Sequence, residues 1–227
     1  MNRKYSLVIF DWDGTLINSV PNIVQALSLG AEQLRLPVLD ETCYKGVIGL
    51  SLGNAARSLY PDLGEDEMVG FIRAYRQHYL SLEQSPSAPF PGVTDGLDWL
   101  KGRGTRMAVA TGKGRPGLDR SLKANRYENY FAASRCADET RSKPHPLMLE
   151  QLLDELQVSV DEALMVGDSG FDLEMAACMG MERVAVTYGA QSRDELLKHD
   201  PVCVADSFDD LVRWLEGRGV NRMSRGV

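Results

Sequence analysis

The sequence predicts a doubly wound α/β fold: a Rossmann-like parallel sheet between helices, with a helical subdomain inserted after its first strand. Three observations carry this. Five short apolar runs rich in β-branched residues, Leu7–Phe10, Met107–Ala110, Leu164–Val166, Val184–Thr187 and Val202–Ala205, each end near a polar or glycine-containing turn. Continuous apolar runs suit strands covered on both faces. Amphipathic stretches at helical spacing separate them, and strand alternating with helix builds a doubly wound sheet. The alternation then fails once, from about Asn18 to Ser87, where no strand-like run occurs.

In chain order, Arg3 and Lys4 precede the first apolar run, which passes directly into Asp11, Trp12 and Asp13. There is no small-residue cleavage site, so the run reads as a buried strand and not a secretion signal. Ser19 is the expected N-cap of a helix with Pro21 in its first turn and Ile23, Val24 and Leu27 on one face. Further helices are expected over Ser51–Leu59 and Asp66–Leu82, closed by a proline-rich return link from Ser85 to Gly92. A sixth, weaker strand is expected at Phe131–Ala137. Leu147, Leu149, Leu152, Leu153 and Leu156 form one helical stripe, and Leu173, Ala176, Ala177 and Met179 another. Met175, Met179 and Met181 read as core filling. The expected organisation is an α/β core from 1–17 and 88–220, a helical cap over 18–87, and a flexible tail at 221–227.

Composition narrows the class. The 227 residues are 44% hydrophobic and 25% charged, ordinary for a globular chain. No apolar run approaches the roughly 20 residues that cross a bilayer. Cys43, Cys136, Cys178 and Cys203 form no CxxC pair, which points to reduced, structural thiols and a cytoplasmic protein. A net charge of −7 argues against nucleic-acid binding. Any site for an anion must therefore draw its positive charge locally.

Four motifs carry chemistry. Val8 to Leu16 delivers two carboxylates, Asp11 and Asp13, to a strand exit, where open α/β sheets bind ligands; Gly14 permits the turn that follows. Neighbouring carboxylates suit a nucleophile beside a general acid/base, or a divalent metal with oxygen ligands; taken alone, the pair also fits a solvated turn. Thr111, Gly112, Lys113, Gly114 and Arg115 follow a second strand, and hydroxyl, backbone N–H groups and local charge make a phosphate cradle. Lys143 lies ahead of the leucine-striped helix, placed to neutralise a phosphoryl group, while its neighbour His145 reads as structural. Asp168 and Asp172 add two acids at another strand exit. Acids, hydroxyl and lysine all at strand exits are placed to converge, and clustered carboxylates need a cation, for which Mg²⁺ is the natural choice.

Together, DxDGT at Asp11, the strand-end Thr111, Lys143 and GDxxxD at Asp168 resemble the haloacid dehalogenase superfamily, over nearly the whole chain. The resemblance implies a Rossmann-like core with a helical cap between the first motif and Thr111. It implies that Asp11 attacks phosphorus and that Asp13 protonates the leaving alcohol, then activates water. Thr111, Gly112 and Lys143 would hold the phosphoryl oxygens. Mg²⁺ would sit on Asp11, the Asp13 backbone carbonyl and Asp168, with Asp172 acting through water or by orienting Lys143. Related dehalogenases and phosphonatases differ at the position of Asp13, so Asp13 favours phosphoester hydrolysis. The stretch from Asp13 to Pro21 is similar to phosphoglycolate phosphatases, with Asn18 and Trp12 as departures.

The implied partner is a small phosphorylated metabolite, with phosphoglycolate first, acted on by a monomer or homodimer without membrane or nucleic acid. A sugar-phosphate mutase and an inorganic pyrophosphatase are the alternatives within the superfamily. A receiver-type signalling module also places acids and a lysine at strand ends, but it explains neither Asp13 nor the inserted helices. Substrate choice is expected from the cap. Lys113 and Lys45 are the candidate specificity residues, Lys45 opening a glycine-punctuated loop to Gly53. Arg57, Arg73, Arg76 and His78 read as a solvated helix face.

Overall fold

Every residue of β1 (Leu7–Phe10) is buried, and its side chains alternate between two cores. Val8 and Phe10 pack with Leu97, Leu118 and Phe208, whereas Leu7 and Ile9 pack with Met148, Leu152 and Met175. A strand that is apolar on both faces needs helices on both. The computed structural model describes residues 4–218, so the expected tail at 221–227 lies outside the described residues.

Before β2 come four helices, α1 (Val20–Gln33), α2 (Glu41–Lys45), α3 (Leu52–Leu59) and α4 (Glu65–Leu82), followed by α5 (Val93–Gly102). Then come β2 (Arg106–Thr111), α6 (Arg115–Asn125), β3 (Ala133–Cys136), α7 (Leu147–Leu156), β4 (Ala163–Gly167) and α8 (Gly170–Ala177). The chain continues through β5 (Glu182–Val186), α9 (Arg193–Leu197), β6 (Cys203–Ala205) and α10 (Phe208–Gly217). The sheet order is β3-β2-β1-β4-β5-β6, parallel throughout. Helices α5, α6 and α10 contribute to one core, and α7 and α8 to the other. The strand order reverses at β1, whose Phe10 is in register with Val109 of β2 and Val166 of β4. Such a switch point opens a crevice at the carboxyl ends of the central strands.

All five expected strands form, and the weak sixth is β3. Two helical faces are turned slightly from expectation. In α7 the buried residues include Met148, with Leu147 and Leu156 only partly covered. In α8 Met175 is buried and Ala177 exposed, because the helix ends at Ala177 and Met179 lies in the turn beyond.

Helices α1 to α4 gather around a core of their own, including Ile23, Leu27, Tyr44, Ala56 and Phe71. Gly30 lets α1 approach α4 closely: a Cβ there would lie 3.3 Å from the backbone N of Tyr75. The two connections to the sheet run side by side. Asn18 N–H donates to Ala88 O and Phe90 N–H to Leu16 O, and Ile17 bridges Pro89. Ser51 caps α3, its hydroxyl accepting from Asn54 N–H. Lys45 is the last residue of the one-turn helix α2, where it pairs with Glu41 at 2.7 Å, and the glycine-punctuated loop follows it to α3. An acid in the first turn and a base in the last favour that turn. Among the described residues, no helix is long and apolar enough to cross a membrane.

Candidate active site

At the end of β1 the chain holds its extended course for one more hydrogen bond, Asp11 N–H donating to Val166 O at 2.9 Å. Trp12 is buried in the core with its indole N–H on the Ser121 hydroxyl, and packs edge-on against Tyr127 and Phe131. The Asp11 and Asp13 carboxylates open instead on a cleft between the sheet and helices α1, α3 and α4. Gly14 then turns with φ +88°, where a Cβ would come within 2.2 Å of an Asp168 oxygen. Only glycine fits both that backbone and that approach.

Behind the cleft lies a buried charge cluster. The Lys143 ammonium is fully buried, 2.7 Å from Asp11 Oδ1 and 2.6 Å from Asp172 Oδ1. Asp172 also accepts from the Ser169 hydroxyl at 2.6 Å and the Ser169 N–H at 3.2 Å, which fixes its orientation toward the lysine. Asp168 accepts from the Thr15 hydroxyl at 2.8 Å and from Ala190 N–H at 2.7 Å. Burial would lower the lysine's pKa, but the facing carboxylates of Asp11 and Asp172 outweigh it and keep the ammonium charged. Burial drives Asp11 well above the usual carboxylate range; Lys143 opposes the rise, and Asp172 and Asp168 add to it. Burial, then Asp172, push Asp168 up to about 7.

Three carboxylates thus face one ammonium. Oxygens of Asp11, Asp168 and Asp172 lie within 4.8 Å of one another, and the buried Asp11 Oδ1 has no hydrogen bond beyond its ion-pair contact with the lysine. A hard divalent cation with oxygen ligands answers both the surplus charge and that oxygen. The side chain of Asp13 stands apart from this group. Both its oxygens face Lys113 Nζ, at 3.0 and 3.1 Å, and Oδ1 accepts from the Ser19 hydroxyl at 2.7 Å. Ser19 therefore occupies the N-cap position of α1 without capping it, because its hydroxyl is spent on Asp13.

Across the cleft, β2 ends at the buried Thr111, whose hydroxyl accepts from Lys113 N–H at 3.1 Å. Thr111, Gly112 and Lys113 share the cleft with Asp11 and Asp13, and Lys143 reaches Asp11 from behind. Lys45 does not join them; it lines a separate cavity with Asn18, Glu32 and Tyr188. Of the residues read as a solvated face, Arg57 and Arg73 are exposed and His78 bonds Gln33, but Arg76, also exposed, lines the cleft. His145 bonds Arg141 and Leu147 N–H, a structural role. Sequence reasoning missed Ser19 as a partner of Asp13, the Ala190 N–H, and Tyr79, which brings its hydroxyl to 3.1 Å from Lys113 Nζ. Thr15 alone carried a signal, within the DxDGT motif.

The helical segment sits down on the turn that follows β2. Ser51 N–H donates to the Ser142 hydroxyl at 2.8 Å, and a Cβ on Gly112 would lie 2.5 Å from the carbonyl oxygens of both Gly49 and Leu50. Gly112→Ala is therefore expected to prop this contact open. Faster amide exchange at residues 47–52 and a loss of kcat/KM of roughly tenfold or more would show it. Unchanged exchange and activity would mean the contact is dispensable.

The family model for "Haloacid dehalogenase-like hydrolase" matches residues 8–186, a span that contains Asp11, Thr111, Lys143, Asp168 and Asp172. The chain belongs to the haloacid dehalogenase-like hydrolase family. Within it, "Probable phosphatase IndB" of Dickeya dadantii is 36% identical over 210 residues, 91% of each chain. The phosphoglycolate phosphatase of Rhodospirillum rubrum is 32% identical over 222 residues, covering 92% of this chain and 90% of that one. The crystal structure of a predicted phosphoglycolate phosphatase from Haemophilus somnus superposes with a TM-score of 0.85 at 26% identity, over 94% of this chain and 99% of the other. This haloacid dehalogenase-like hydrolase is thus an enzyme similar to phosphatases along almost its whole length.

Proposed function

We propose that the protein is a Mg²⁺-dependent phosphatase of a small phosphorylated metabolite. The observation that carries this is the buried group of Asp11, Asp168 and Asp172 around Lys143, from which Asp11 opens on a cleft that also holds Asp13 and Thr111. A carboxylate oxygen of Asp11 attacks phosphorus as the ester P–O bond breaks, and Asp13 gives its proton to the departing alkoxide. Asp13 then takes a proton from water, which attacks the aspartyl-phosphate and releases inorganic phosphate with Asp11 restored. Thr111, the Gly112 N–H and Lys143 hold phosphoryl oxygens during both steps. The residues that would hold Mg²⁺ are Asp11, the Asp13 backbone carbonyl and Asp168, with Asp172 positioning Lys143; the ion would offset phosphoryl charge, where catalysis of such transfers chiefly lies.

The segment 18–87 acts in this reading as a cap over a core of 1–17 and 88–220. Phosphoglycolate is the first compound to try, since it is what several relatives are named for. Four unpaired cysteines agree with a cytoplasmic setting.

Hydrolysis of phosphate monoesters should vanish with a chelator and return with Mg²⁺. Asp13→Asn should lower kcat by about 10²–10⁴-fold, the usual range for losing a general acid/base, while a phosphoenzyme still forms. Unimpaired steady-state turnover in that variant would contradict the role given to Asp13.

A further inference from the structure

The cleft over Asp11 is far larger than a phosphoryl group needs. Its volume is about 550 Å³, within the roughly 300–1,000 Å³ of pockets that enclose drug-sized ligands. A two-carbon acid ester would occupy only the end at Asp11 and Thr111. The remaining wall belongs to the inserted helices and is mostly apolar, with Ile23 and Leu27 from α1, Ile48 from the loop and Leu52 from α3. Helix α4 adds Tyr75 and Tyr79, their rings stacked at 5.7 Å between centroids.

Three cations line the same cleft, and two are already engaged. Lys113 holds Asp13, and Arg120 pairs with Glu83 at 3.1 Å. Arg76 has no hydrogen-bond or ion-pair partner among the described residues, and stands on α4 next to Tyr75. A guanidinium is a planar fork of donors that also stacks on flat groups. An apolar wall with one unengaged arginine suits a leaving group that is flat, ring-containing and rich in hydrogen-bond acceptors.

We propose that the substrate is a phosphate monoester whose leaving group carries a ring and is of nucleoside size, the ring against Ile48 and Leu52 and its acceptor atoms toward Arg76. This rests on the phosphatase reading and sharpens it, moving the substrate away from phosphoglycolate.

Gly53 offers a clean probe. It lines the cleft in the first turn of α3, and a Cβ there would meet nothing within 4 Å. A larger residue therefore narrows the cleft without a clash at its base, and replacing a helical glycine does not threaten folding. With Mg²⁺, kcat/KM would be measured for uridine and adenosine 5′-monophosphates against phosphoglycolate and glycerol 3-phosphate. The better nucleotide is expected to exceed both small esters by at least about tenfold, and Gly53→Phe to lower that ratio about tenfold. Arg76→Met is expected to act mainly by raising KM for the nucleotide. Preference for phosphoglycolate, or a ratio that Gly53→Phe leaves unmoved, would overturn the inference while the phosphatase reading stands. No hydrolysis of any of the four esters would overturn both.

Discussion

Asp11→Asn is expected to abolish turnover without unfolding the protein. If Asp11 attacks phosphorus as proposed, removing its oxygen leaves only binding and charge stabilisation, and losses of roughly 10⁴-fold or more in kcat are the scale for a deleted nucleophile. The fold should survive for a reason written into the same cluster. Asp11 is a buried carboxylate whose pKa burial pushes well above its ordinary range, so carrying its charge costs the native state more than the unfolded chain. Asparagine has the same shape and no charge, and Lys143 keeps its contact with Asp172. Thermal melting should therefore show a midpoint no lower than that of the native chain, alongside phosphate release at background. Activity that survived would remove Asp11 from the reaction, whereas a collapsed melting curve would show that its charge was needed by the fold.

The ease with which Asp11 could be read from the sequence contrasts with its neighbours. Leu7–Phe10 is legible because full burial on two faces leaves a continuous apolar run, and the acid that ends it falls at a strand exit by necessity. The same logic exposes Thr111 and Asp168. It does not extend to the surroundings of Asp13: its partners Lys113 and Ser19 come from a sheet loop and from the N-cap of α1, and Tyr79 of α4 reaches Lys113 in turn. Ser19 shows the difficulty: a serine before a helix is rightly placed at the N-cap, but whether its hydroxyl turns to the helix or to a carboxylate six residues back depends on tertiary packing. Arg76 and Lys45 make the same point. Both are basic residues on helices of the inserted segment, and only the docking of that segment decides which lines the cleft that Asp11 opens on. That docking rests on contacts such as Ser51 with Ser142 and Gly112 with Gly49, between residues with no local relation in the chain.

Lys143→Met is expected to destabilise the protein more than any other single change at the site. Methionine nearly matches the lysine stem in volume, so packing loss is small and the effect isolates the charge. Without the ammonium, Asp11, Asp168 and Asp172 face one another in a buried space with no other ion-pair partner among the described residues. Breaking a buried ion pair by removing one partner costs about 3–5 kcal/mol, which for a chain of this size lowers the melting midpoint by roughly 6–20 °C. Two controls identify the cause. Adding Asp172→Asn removes one of the stranded charges and should recover much of the loss, since the two sites share one interaction and their effects cannot add. Mg²⁺ should raise the midpoints of both Lys143→Met and the native chain, because a cation that binds only the folded state stabilises it by mass action. If Lys143→Met melts within a degree or two of the native chain, the lysine is not the counter-charge of this cluster. The surplus of carboxylates must then be neutralised by protons, and the case for a cation among Asp11, Asp168 and Asp172 weakens with it.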